Sequence, residues 1–124
     1  MVIVIDFDET IVYSSYPKIH GLKPNAREII NKLYNEGHDI IINTCRAGIY
    51  EAQVYHFLNR NKIKYHYINS NLPRLIVKFG QDCRKISGDI YIDDKNLGGI
   101  PDNWLKIYSI IKKHPKYNDK KRSQ

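Results

Sequence analysis

Three short apolar runs, Val2-Ile3-Val4-Ile5, Ile40-Ile41-Ile42 and Ile90-Tyr91-Ile92, each break off into acidic or polar residues: Asp6-Phe7-Asp8, Asn43-Thr44 and Asp93-Asp94. Runs this short and this rich in β-branched residues, with no polar alternation, read as strands buried on both faces of a parallel sheet. Parallel strands need long crossovers, and the intervening segments supply them. Pro24 opens a helix carrying Ala26, Ile29, Ile30 and Leu33 on one face, with Gly37 behind it as a stop. Gly48 to Asn61 gives a second helix through Ile49, Ala52, Val54, Phe57 and Leu58, and Pro101 to Lys113 a last one through Trp104, Leu105, Tyr108 and Ile111. Tyr65 to Ile68 is a further strand. The alternation predicts an α/β domain of three layers, Rossmann-like, with a mainly parallel central sheet.

Two stretches escape this pattern. Thr10 to Gly21 holds turn formers without helical period and is expected as a loop or small hairpin over the end of the first strand. Asn69 to Arg84 surrounds a single apolar patch, Leu75-Ile76-Val77, too short for its period to distinguish strand from helix.

In open parallel sheets, ligands collect outside the carboxyl ends of the strands where strand order reverses. Asp6, Asp8, Thr44, Asp93 and Asp94 all fall at or just past expected strand ends, so they should share one rim. Several carboxylates at one rim repel one another unless a cation neutralises them. A hard, oxygen-bound ion such as Mg²⁺, held by Asp6 and Asp93 with Asp94 in support, meets that need and points to phosphate chemistry. Asp6 can attack phosphorus as a carboxylate nucleophile, and Asp8 can serve as the acid and base for the leaving oxygen and the hydrolytic water. Thr44 brings a hydroxyl and nearby backbone N–H groups to the phosphate oxygens, and either Lys85 or Lys78 a compact positive charge.

These residues resemble the motifs of the haloacid dehalogenase-like hydrolases, in particular their small capless members, across almost the whole chain. Asp6-Phe7-Asp8-Glu9-Thr10 is similar to the first motif, Asn43-Thr44-Cys45-Arg46 to the second, Lys85 to the third and Ile92-Asp93-Asp94 to the fourth. The resemblance implies Asp6 as nucleophile and Asp8 as acid/base. It implies Thr44, with the adjoining Cys45 and Arg46, and Lys85 on the phosphoryl group. Asp6, the Asp8 carbonyl, Asp93 and Asp94 would surround Mg²⁺. An aspartate at the Asp8 position is, in that family, the mark of phosphatases and phosphomutases. Lys85 is preferred to Lys78 because it stands shortly before the strand bearing the fourth motif. The short C-terminal part departs from the family by leaving little room for a fifth core strand.

Neither gap between motifs can hold an independent cap, since a domain usually needs about 50 residues or more. An uncapped site must be covered by substrate, by its own loops or by a neighbouring subunit, so a homo-oligomer is one expectation.

The remaining composition sets limits. The expected organisation is one domain over residues 1–113 and a basic tail over 114–124. Lys112, Lys113, Lys116, Lys120, Lys121 and Arg122 against Asp119 give the last thirteen residues +5 of the formal +7. That tail supports an alternative function, a nucleic-acid or polyanion-binding module or a polynucleotide end phosphatase. No apolar run approaches the roughly 20 residues of a membrane span, and no secretory leader precedes the first strand, so a cytoplasmic protein acting on a phosphorylated small molecule is expected. Cys45 and Cys83 read as free thiols, and the five histidines show no ligand spacing.

Overall fold

The computed structural model describes residues 1–119. In chain order the elements are β1 (Val2–Asp6), β2 (Val12–Ser15), β3 (Lys18–Leu22), α1 (Ala26–Asn35), β4 (Asp39–Asn43), α2 (Ile49–Arg60), β5 (Tyr67–Ile68), α3 (Pro73–Phe79), β6 (Ile90–Ile92) and α4 (Trp104–Ile111). The protein is an α/β fold whose central sheet runs β5-β4-β1-β6, with every pairing parallel. From β1 the chain steps outward to β4 and β5, then returns to place β6 on the other side of β1. Strand order therefore reverses at β1, the strand that ends in Asp6.

The two faces of the sheet are covered unequally. Ile3, Ile5, Ile40 and Ile42 point to one face, where Ile30 and Leu33 of α1, Val54 and Leu58 of α2, and Trp104 and Ile111 of α4 close over them. Each such side chain contributes roughly 1.5–3 kcal/mol by leaving water, and Leu33→Ala would cost about 2–5 kcal/mol. Val2, Val4 and Ile41 point to the opposite face, which meets only Leu72, Ile86 and the half-buried Leu75. Here the undecided stretch resolves as α3, started by Pro73 in its first turn and ended by Gly80 at φ 81°. A short helix suffices because the chain beyond it lies close to the sheet: a Cβ on Gly88 would sit 2.5 Å from Val4 Cγ2.

The segment after the first strand is a hairpin, β2–β3, turning through a cis Tyr16-Pro17 bond. Residues 114–119, expected above as part of a tail, are docked on the body. The Tyr117 hydroxyl donates to Glu36 Oε1 at 2.9 Å, its ring tilts against His38, and the N-terminal ammonium donates to the Asp119 carbonyl. The Tyr117 ring is half-buried in this contact. Lys120, Lys121 and Arg122 lie outside the described residues.

Candidate active site

Asp6 closes β1 in register with Asn43 of β4, and Phe7 behind it is wholly buried. The Phe7 carbonyl then accepts from the N–H groups of Thr10, Ile11 and Val12 at 3.2, 2.9 and 3.3 Å, with Glu9 at φ 59°. This tight turn throws Asp8 outward and folds Thr10 back beneath Asp6. The Thr10 hydroxyl lies 3.2 Å from Asp6 Oδ2 and 3.5 Å from Asp94 Oδ1, and accepts from the Asp94 N–H at 3.0 Å. Thr10 is itself fixed, because the Trp104 indole N–H donates to its carbonyl at 2.9 Å. Thr10 thus ties the end of β1 to the turn after β6.

That turn is self-built. Asp93 accepts from Lys95 N–H at 2.9 Å through its side chain and from Asn96 N–H at 3.0 Å through its carbonyl. It presents Asp93 and Asp94 beside Asp6, and one carboxylate oxygen from each of the three lies within 4.8 Å of the others. Among the described residues no cation pairs with any of the three. Burial, the contact with Asp94 and the charge of Asp93 push the Asp6 carboxyl up to about 7. Three half-buried acids with only oxygen donors fit a hard divalent cation, which would remove that repulsion.

Asp8 is two residues away in sequence but faces a different environment. The Arg46 Nε and Nη2 groups donate to its two oxygens at 2.9 and 2.7 Å. Burial raises the Asp8 carboxyl, but the hydrogen bonds from Arg46 and Ser14 and the Arg46 charge outweigh it and leave the group below its ordinary value. Arg46 Nη1 goes to the Pro17 carbonyl at 3.0 Å and to Gln53 Oε1 at 3.2 Å, and the guanidinium sits 4.9 Å from the Tyr16 ring centroid. This corrects the expectation of Arg46 on the phosphoryl group: the side chain is buried and already occupied by Asp8, the hairpin and α2.

Thr44 stands just past β4, its N–H held by Asn69 Oδ1 at 2.7 Å while Asn69 Nδ2 donates to Glu51 at 2.7 Å. Its Oγ1 accepts from Arg46 N–H at 3.1 Å, leaving the hydroxyl proton to donate. It does not cap α2, which begins at Gly48 without a side-chain cap. Cys45 beside it is exposed.

The structure separates the two candidate lysines. Lys78 borders a groove with Val2, Gly88 and Asp89, at the N-terminal ends of the strands and away from the acids. Lys85 is exposed, with its ammonium 5.5 Å from the Tyr91 ring centroid, and among the described residues it forms no ion pair with the rim. Of the positions singled out from sequence, Asp6, Asp93 and Asp94 are thus brought together, Asp8 and Arg46 form an adjoining pair, and Lys85 rests on an aromatic ring. The expectations from sequence give Thr10 no role of its own, although the DxDxT spacing carries the signal, since a residue four past the strand-end acid can fold back onto it.

The described residues contain no helix long and apolar enough to cross a membrane. Among solved structures, that of a conserved protein coded by a locus from Bacteroides thetaiotaomicron matches with a TM-score of 0.82. It is 33% identical in sequence, over 96% of this chain and 95% of that chain. The two chains belong to one family. No protein-family model and no curated protein matches the chain.

Proposed function

We propose that the protein is a divalent-cation-dependent phosphatase acting on phosphate monoesters through an aspartyl-phosphate on Asp6. The observation that carries the reading is the convergence of Asp6, Asp93 and Asp94 at the point where strand order reverses, with a separately held acid, Asp8, two residues from Asp6. Mg²⁺ suits this all-oxygen set, and when bound by Asp6, Asp93 and Asp94 it would neutralise phosphoryl oxygens and the acids together.

The chemistry of the chain's own residues follows from their placement. An Asp6 carboxylate oxygen attacks phosphorus, the phosphorus–ester oxygen bond breaks, and its electron pair leaves with the alkoxide. Asp8 gives that oxygen a proton, then takes one from the water that attacks phosphorus and restores the Asp6 carboxylate. The Thr44 hydroxyl donates to a non-bridging oxygen. The Arg46 hydrogen bonds hold Asp8 ionised at rest, so Asp8 takes a proton from solvent before it protonates the leaving oxygen. Thr10 positions Asp6 by holding its carboxylate against the turn at Asp94.

Hydrolysis of 4-nitrophenyl phosphate with Mg²⁺ tests the reading. Asp6→Asn, with unchanged circular dichroism, should lower turnover by at least about 10³-fold, the scale of losing a nucleophile. Turnover that survives the substitution, or its absence for the wild type on a panel of sugar, nucleotide and aryl monoesters, overturns it.

A further inference from the structure

A cleft of about 410 Å³ lies between the turn of the β2–β3 hairpin and α2. Gln53, His56, Phe57 and Arg60 recur at helical spacing, so α2 turns one stripe toward the hairpin, where Lys18 and Ile19 face it. The apolar part of the lining, Ile19 and Phe57, is half-buried, while Lys18, His56 and Arg60 are exposed. No acidic side chain lines the cleft, and among the described residues neither Lys18 nor Arg60 is in an ion pair. Cations on both walls of an apolar-floored cleft repel one another across it unless an anion stands between them.

The cleft adjoins the candidate active site through one side chain. Pro17 and Gln53, which line it, accept from Arg46 Nη1, while the other arm of the same guanidinium holds Asp8. Arg46 itself is buried and forms the partition between Asp8 and the cleft, while the exposed Tyr16-Pro17 turn borders Arg46 on one side and the cleft on the other. Asp8 is the group that would protonate the leaving oxygen, so a leaving portion that runs over this turn reaches the cleft. We propose that Lys18, His56 and Arg60 receive a second anionic group, a carboxylate or phosphate, carried by that leaving portion. The preferred substrates are then monoesters bearing another negative charge on an organic body that covers Ile19 and Phe57. This rests on the phosphatase reading of the rim.

The test compares two non-hydrolysable probes, benzylphosphonate and 4-carboxybenzylphosphonate, by calorimetry with Mg²⁺. The diacid should bind the wild type about tenfold more tightly, the scale of one charge-assisted contact. In the K18A/R60A double variant, whose altered side chains are both exposed, the two probes should bind with nearly equal affinity. Equal affinities in the wild type, a preference that survives in the variant, or no binding of either probe overturns the inference. If the diacid preference holds but no ester is hydrolysed, the anion site stands and the phosphatase reading falls. If esters are hydrolysed and the preference is absent, the reverse holds.

Discussion

Carboxylates gather at both ends of the central sheet, and the two ends treat them in opposite ways. At the N-terminal ends of the strands each acid has a cation: Asp39 pairs with Arg74 at 3.2 Å and Asp89 with Lys116 at 3.0 Å. Asp89 also accepts from the Val2 N–H at 2.7 Å, and although burial raises its carboxyl, these partners hold it below its ordinary value. At the C-terminal ends Asp6, Asp93 and Asp94 face one another, and Asp6 is pushed up to about 7. The N-terminal end is arranged for stability and the C-terminal rim against it, which is where a protein places a site that awaits a ligand. Among the described residues of the rim, only Asp8 has its own cation, so its side chain is held apart from the other three acids.

The largest stability effect should come from removing that cation. Arg46→Ala leaves Asp8 without its partner and empties a buried site, and denaturant unfolding should show a loss of about 3 kcal/mol. Arg46→Lys should recover little of it, since a point charge cannot satisfy both Asp8 oxygens together with Pro17 and Gln53. Removing charge from the rim should act in the other direction. In chelator at pH 8, Asp6→Asn should stabilise the fold by about 2 kcal/mol, because the amide removes a carboxylate forced to ionise beside two others. Added Mg²⁺ should raise the melting temperature of the wild type and leave the variant unmoved.

Substitutions at the opposite end should cost stability and ignore Mg²⁺. Asp39→Asn breaks a pair whose acid is buried and whose arginine is partly exposed, so about 1–2 kcal/mol is expected. Asp89→Asn gives the smallest effect, about 1 kcal/mol at pH 7, because Lys116 is half-exposed. The folded Asp89 carboxyl lies below its unfolded value of about 3.9, so its contribution is present above that pH and is lost as pH falls through the folded value. Wild type and Asp89→Asn should therefore converge in stability near pH 2. A wild type that gains from Asp6→Asn no more than from Asp89→Asn would erase the contrast between the two ends.

Much of this architecture was legible in the chain because it is written locally. Val2 to Ile5 is apolar on both faces, so it has to be an inner strand, and its end fixes where Asp6 lies. The helix over Ala26–Asn35 declares itself through four apolar positions and a closing glycine. The patch Leu75-Ile76-Val77 is shorter than one helical turn, and the packing of Leu75 beside Val2 and Val4, with Val77 left exposed, depends on contacts made only in the fold. Arg46 misleads for a different reason: a guanidinium binds phosphate and carboxylate through the same fork, and its actual partner lies 38 residues away. Tyr117 and the cleft of Lys18, His56 and Arg60 likewise depend on segments that meet only after folding.

A nucleophilic Asp6 becomes covalently phosphorylated during turnover. Rapid acid quenching during turnover of 4-nitrophenyl phosphate with Mg²⁺, followed by peptide mass spectrometry, tests it most directly. Covalent catalysis through Asp6 predicts a phosphoryl group on Asp6 that is absent from Asp6→Asn. Steady hydrolysis with no phosphoryl group on the enzyme, or with the group on another residue, would contradict it.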